Sequence, residues 1–441
     1  MAFATMATMK LRIFVVALIA VAGHGQTVVW NKFDPGAIRA GRTDPVAIEV
    51  QTSGAVSAVA LDAAAGGRVT LTAAGANHWT GTVTAAQALF DYRADDVNHN
   101  FVGFLRLLGP SSETLSTLNA FINVVDSNVP SVEVAELGSG ARATTRILNL
   151  YRPNVSLTDV RSAAQQFYAF YRDDFEFLSV IFSQPNYPAN RYHFAVRNNV
   201  SGIGLPPLDT GSLYGSASRL LGITVFPFDT VFDGAETGFQ HEIGHQWILF
   251  LRNPSLLPGP HWPPSTMARG VMGANIPPTN EGGDFPWNIE TVSGGVRTTF
   301  GAITREFDDF DLYLMGFIPA SAVAPGLVLQ QSPCNNCVIP ATPLTINDVV
   351  QVNGPRVPAA GSAKTSFRVA TVVISRDRAL NNDEMAVLDY FAARGEALVQ
   401  LPYASGLAKG TTKPFAVSTR GIGRLDLRLT LPPPRRRSAR H

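Results

Sequence analysis

The chain is organised around one short stretch, Gln240-His241-Glu242-Ile243-Gly244-His245-Gln246-Trp247. On an α-helix, residues four apart share a face about one turn from each other. A helix here brings His241 and His245 to a single metal ion from one side. Glu242 then stands beside that ion, placed to take a proton from water that zinc acidifies toward neutral pH. The flanks suit a helix too. Phe239, Ile243 and Trp247 fall on one stripe, and Ile248-Leu249-Phe250-Leu251 extend the apolar run until Asn253-Pro254 stops it. Histidine is scarce, eight in 441 residues, so chance seldom meets this spacing. The bland alternative is a buried helix whose two histidines hydrogen-bond to neighbours.

Zinc in a catalytic site takes three protein ligands and leaves a fourth position for water. Two residues are open as the third ligand. His261, in Gly259-Pro260-His261-Trp262, lies on the loop leaving the metal helix. Asp311 lies on a second expected helix, 305–316, where Phe307, Phe310 and Leu314 line one face and Gly316 is a natural stop. Tyr313 is a possible oxyanion donor, but it follows Asp311 by two and points elsewhere on a helix, so core packing is the simpler expectation. Met272 is a possible apolar floor under the metal.

Length and address narrow the class. A chain of 441 residues implies two or three domains. A net charge of +1 gives no reason to expect a nucleic-acid partner or a membrane-surface partner. Lys10 and Arg12 precede the apolar run 13–21, followed by Ala22-Gly23-His24-Gly25. That pattern reads as a secretory signal over 1–25, too short for a stable membrane span, so the expected address is secreted or periplasmic. The only cysteines, Cys334 and Cys337, are expected to form a local disulfide in such a chain.

Residues 26–109 read as β-rich. Short runs such as Val46-Ala47-Ile48-Glu49-Val50 and Trp79-Thr80-Gly81-Thr82-Val83 lie between turn signals, which suggests an immunoglobulin-like β-sandwich. Asp96, Asn98 and Asn100 match the opening of a calcium-binding loop, but Phe101 and Leu107 stand where glycine and glutamate are required. A solvated turn is expected there. Residues 110–335 form the expected catalytic domain. It has a helix over 157–172 started by Thr158-Asp159, and strands at 177–182, 192–196 and 221–226 before the metal helix, an α+β arrangement. Residues 336–431 add a strand at 367–374 and a helix at 383–394, as a C-terminal region that can belong to the same unit. The basic tail 432–441 is expected to be disordered.

Three blocks carry a resemblance. The chain resembles the secreted bacterial zincin-type metallopeptidases, which share the His241-Glu242-x-x-His245 helix. Within them it looks like exported bacterial proteins with a His-Glu-x-x-His-x-Trp helix, a later His-Trp and a Leu-Tyr-Leu-Met-Gly segment, present here as His241 to Trp247, His261-Trp262 and Leu312 to Gly316. The resemblance covers about the middle third of the chain. It implies a zincin-like catalytic domain, a zinc cofactor, a protein or peptide substrate, His241 and His245 as ligands, and Glu242 as general base. The closely spaced third histidine and preceding glycine of the metzincins are missing, because Trp247 and Ile248 begin an apolar run there. A second functional class is an exported binding or adhesion protein, in which His261 and Asp311 together close a structural zinc site. The oligomeric state is not written in the sequence.

Overall fold

The computed structural model describes residues 25–41, 44–63, 66–84, 97–125, 131–153, 159–183, 191–228, 237–248, 250–252, 261–273, 285–302, 304–402 and 411–430. The expected signal (but for Gly25), Asp96 and the basic tail lie outside the described residues. The fold is mixed α+β, rich in sheet, with few helices. No helix among the described residues is long and apolar enough to cross a membrane.

Nine strands build the N-terminal unit: β1 (Thr27–Asp34), β2 (Ala37–Arg39), β3 (Val46–Ser53), β4 (Ala58–Ala63), β5 (Arg68–Thr70), β6 (Thr72–Gly75), β7 (His78–Val83), β8 (Val97–Leu108) and β9 (Thr114–Val125). They form two sheets, ordered β1-β3-β7-β6 and β2-β9-β8-β4-β5. Alternation explains how the sheets meet. Side chains of a strand point to opposite faces in turn, so Val46, Ile48 and Val50 of β3 face inward while Ala47 is exposed. They join Val59 and Leu61 of β4, Leu105 of β8 and Ile122 of β9 in one core. Trp79 is buried there, and its indole N–H donates to Thr52 Oγ1 at 3.2 Å. Gly103 sits where β8 passes β4 with φ +146°, and a Cβ there would lie 2.2 Å from the Asp62 carbonyl oxygen.

Two sequence expectations change here. The unit runs to Val125 rather than to residue 109, because β9 pairs along β8. Polar residues such as Thr117 and Asn119 are interleaved with apolar ones along β9, so 111–125 reads as a mixed segment when viewed alone. Asn98 and Asn100 lie on β8, opposite Val124 and Ile122, and not in a turn.

The second unit is built on a mixed sheet. Its strands are β10 (Ala135–Gly138), β11 (Ala141–Ala143), β12 (Ile147–Tyr151), β13 (Phe177–Phe182), β14 (Tyr192–Ala195), β15 (Gly222–Pro227), β16 (Ser366–Ser375) and β17 (Arg424–Asp426). The order is β10-β11-β12-β16-β13-β15-β14, with β17 pairing β16 off this path. From β12 to β15 the pairings are parallel, and β14 closes the edge antiparallel to β15. Central parallel strands are covered on both faces and read as continuous apolar runs. Phe177-Leu178-Ser179-Val180-Ile181-Phe182 is such a run, buried at every position. The same logic places β16, nine of whose ten residues are not exposed, between β12 and β13. Residues beyond 336 therefore complete the central sheet of this unit.

Helix α1 (Val160–Tyr168), capped by the Asp159 carboxylate accepting from the Ser162 N–H at 2.9 Å, covers one face. Its Phe167 packs with Leu178, Val180 and Phe182. The other face carries α2 (Thr237–Gly244), α3 (Asp309–Met315), α4 (Ile346–Asn353) and α5 (Asn382–Gly395). Cys334 and Cys337 are joined as a disulfide beside the hairpin of strands Trp287–Val292 and Gly295–Phe300.

The two units meet through α5. Glu384 is 3% exposed and closes a capping box with Asn381. Its Oε1 accepts from the Gly36 N–H at 2.9 Å and from Arg378 at 2.8 Å, and its Oε2 accepts from Arg378 and from the Asn381 N–H, each at 2.7 Å. Arg378 also reaches Asp34 of β1, and Arg39 of β2 pairs with Asp383 at 3.1 Å. Glu384→Ala strips the acceptor from several donors at once, with the Gly36 N–H left in a part-buried position. The expected loss is about 1–3 kcal/mol of stability by denaturant unfolding; a loss below 0.5 kcal/mol, taken as roughly the scatter of surface substitutions, would show that this junction contributes little.

Candidate metal centre

Helix α2 presents the metal motif. It ends at Gly244, sooner than the apolar run to Leu251 implies. The His245 N–H is shared between the His241 and Glu242 carbonyls at 3.3 and 3.2 Å, and the Gln246 and Trp247 N–H groups bond three residues back. The last turn is therefore tightened, as helix ends often are. His245 still sits one turn from His241, so their spacing survives. Gly244 allows close packing beneath: a Cβ there would lie 2.6 Å from Met272 Sδ and 3.2 Å from the Phe307 ring. Met272 thus lies under the metal helix, fully buried.

Three imidazoles converge. His241 Nε2 is 3.1 Å from His245 Nε2 and 3.0 Å from His261 Nε2. His241, His245 and His261 are the group of potential ligands found among the described residues, with ligand atoms within 4.8 Å of one another. Two nitrogens on one tetrahedral zinc, each about 2.0–2.1 Å from it, lie roughly 3.3 Å apart. Those two separations lie within a few tenths of an ångström of that, and the third pair lies within 4.8 Å. The tautomer is also set. His241 Nδ1 lies 2.6 Å from the Val271 carbonyl oxygen, which only accepts, so Nδ1 carries the proton and Nε2 offers its lone pair. Burial, then the neighbouring His261, brings the His241 pKa down to about 3. Burial likewise holds His245 well below and His261 below the usual histidine value. Neutral imidazole is the ligand form, so the donor set fits zinc.

Glu242 is 3% exposed. Its Oε1 is 3.3 Å from Arg191 Nε, while Oε2 is buried with no partner among the described residues. Burial raises its pKa to about 7, against the opposing pull of Arg191. A buried carboxylate oxygen without a donor is uncommon in folded proteins.

Asp311 is not in the histidine group. Its Oδ1 accepts from the Trp262 indole N–H at 2.7 Å and its Oδ2 from the Asp308 N–H at 3.0 Å, within a capping box that starts α3 at residue 309 and not at 305. Arg305, at φ +52°, lies outside the helix. Asp311 acts on the site at one remove. Trp262 follows His261, and its backbone N–H donates to the Met272 carbonyl at 3.1 Å. The indole bond therefore fixes the chain that carries His261. Tyr313 is taken up in the core, where its hydroxyl accepts from the Arg356 N–H at 3.0 Å.

Sequence reasoning missed Arg191, His193 and the structural role of Gln246. Gln246 Nε2 donates to the Arg197 carbonyl at 2.9 Å, so its Oε1 accepts from the His193 Nε2–H at 3.1 Å. This clamps edge strand β14 to the metal helix. Burial keeps His193 neutral, with a pKa near 4. Nothing local in the sequence signals these contacts, which join segments distant along the chain. No protein-family model, curated protein or solved structure matches the chain.

Proposed function

We propose that this protein is a secreted zinc-dependent endopeptidase, with a zincin-like catalytic unit behind an immunoglobulin-like N-terminal domain. One observation carries the reading: three imidazoles gather in one group, and Glu242, next in the chain to His241, keeps a buried carboxylate oxygen without a partner among the described residues. His241, His245 and His261 would hold the zinc. The bound ion supplies Lewis acidity, polarising a carbonyl and lowering the pKa of water. Glu242 takes the proton from the attacking water and passes it to the departing amine. Its raised pKa suits both halves of that task. Arg191 fixes Oε1, so Oε2 is the oxygen that handles the proton. Val271 and Asp311 hold the histidines from behind.

The surroundings favour an extended chain as substrate. Among the described strands β14 lies at the sheet edge beside helix α2, and a sheet edge is where an extended peptide can pair. The order β1-β3-β7-β6 over β2-β9-β8-β4-β5 is the support for the immunoglobulin-like reading of the first unit. The apolar leader-like start supports export.

The test is metal analysis followed by digestion of an unfolded protein. One zinc per chain and cleavage abolished by chelation, then restored by zinc, are expected. Stoichiometric zinc with no cleavage of any unfolded substrate would move the assignment to a binding protein with a structural metal.

A further inference from the structure

Arg191 is the one cation that the described structure brings to Glu242, and only part of it is engaged there. Its Nε faces Glu242 Oε1 at 3.3 Å, and the side chain is 27% exposed. Its two terminal nitrogens carry no hydrogen bond among the described residues. The residue stands immediately before edge strand β14, which the Gln246–His193 bond ties to the metal helix. The guanidinium is thus held by Glu242 through Nε, on a side chain that is only partly buried.

The local charge balance points the same way. The imidazoles are neutral, so among the described groups the site holds one carboxylate and one guanidinium, which cancel. A divalent ion then leaves the site with an excess of about two positive charges, concentrated where water is partly excluded. An open guanidinium fork matches a carboxylate in shape and charge better than any neutral group. The oxyanion formed at the scissile carbonyl is a poorer match. A zinc held by the three histidines would supply the counter-charge there, whereas Arg191 is held on the opposite oxygen of Glu242 from the one left bare.

We propose that Arg191 receives a carboxylate of the substrate close to the scissile bond, making this a peptidase selective for acidic peptides or for bonds near a free C-terminus. This rests on the zinc-peptidase reading above. The shared chemistry is a carboxylate, and the two sources separate experimentally.

The first arm uses zinc-loaded full-length protein and two small hydroxamates, succinic acid monohydroxamate and its terminal amide. They differ only in carboxylate against carboxamide. The carboxylate form is expected to bind about tenfold to a hundredfold more tightly, the range of a hydrogen-bonded charge pair. Arg191→Gln should bring that ratio to near one, and Arg191→Lys should retain part of it. The second arm maps cleaved bonds in a peptide mixture, with and without C-terminal amidation. Enrichment of Asp or Glu beside the cut in both samples identifies side chains as the source. Enrichment near the terminus that vanishes on amidation identifies the terminal carboxylate. Equal binding of the two hydroxamates to the unaltered protein overturns the proposal, as does an unchanged ratio in Arg191→Gln. If zinc and both hydroxamates bind but no peptide is cut, the peptidase reading fails while the carboxylate preference is still measured by the first arm. If neither hydroxamate binds, the metal site fails and the proposal with it.

Discussion

Glu242→Gln should lower kcat/KM for an unfolded protein substrate by roughly a hundredfold to ten-thousandfold, the usual worth of a positioned general base. Glutamine keeps the volume and still offers a carbonyl oxygen to Arg191, so the packing around α2 should persist. The three histidines are untouched, and zinc content should stay at one per chain. The loss should fall on kcat, since a general base acts on the proton in motion and not on the bound peptide backbone. Retention of more than about a tenth of the activity, with zinc bound and the fold intact, would remove Glu242 from the role of base. A loss of zinc in the same variant would mean that the carboxylate holds the ion rather than serving it.

That prediction was open to sequence reasoning because the geometry it needs is local. His241, Glu242 and His245 fall within one helical turn, and helical spacing alone brings the two rings to one side. Strands such as Phe177–Phe182 and Ser366–Ser375 were legible for a similar reason: burial on both faces writes an unbroken apolar run. The place of Ser366–Ser375 in the middle of the sheet was not, since sheet order is decided by pairing between segments far apart. The helix end at Gly244 was hidden because apolar residues after His245 extend the amphipathic pattern while actually filling the core around Phe177 and Phe367. Arg191 was invisible for a simpler reason: one arginine before a short strand looks like any other until the fold sets it against Glu242.

The choice between His261 and Asp311 shows how a local signal can outweigh a chemical one. Asp is as good a zinc ligand as His by type. Yet Asp308 stands three residues before Asp311, a spacing that marks a helix start with reciprocal capping. That pattern already commits one carboxylate oxygen to the backbone, and Trp262 takes the other.

The two residues should therefore fail in different ways. His261→Ala removes one of the three proposed ligands and should weaken zinc binding by more than about a hundredfold, beyond what loss of an outer-shell partner causes. Without metal its effect on stability should be slight, because the ring is only partly buried. Asp311→Ala keeps all three imidazoles. It leaves the buried Trp262 N–H and the Asp308 N–H without their acceptor, so it should cost about 1–3 kcal/mol even in metal-free protein. Zinc binding should fall only about tenfold to a hundredfold, through the loosened loop that bears His261. Competition with a chelator of known affinity measures the first quantity, and denaturant unfolding in the absence of zinc measures the second. If Asp311→Ala abolished zinc binding while leaving the metal-free protein as stable as before, Asp311 would be a ligand and the bond to Trp262 a by-product of its absence from the ion. If His261→Ala kept full affinity, the converging trio of imidazoles would not be the metal site at all.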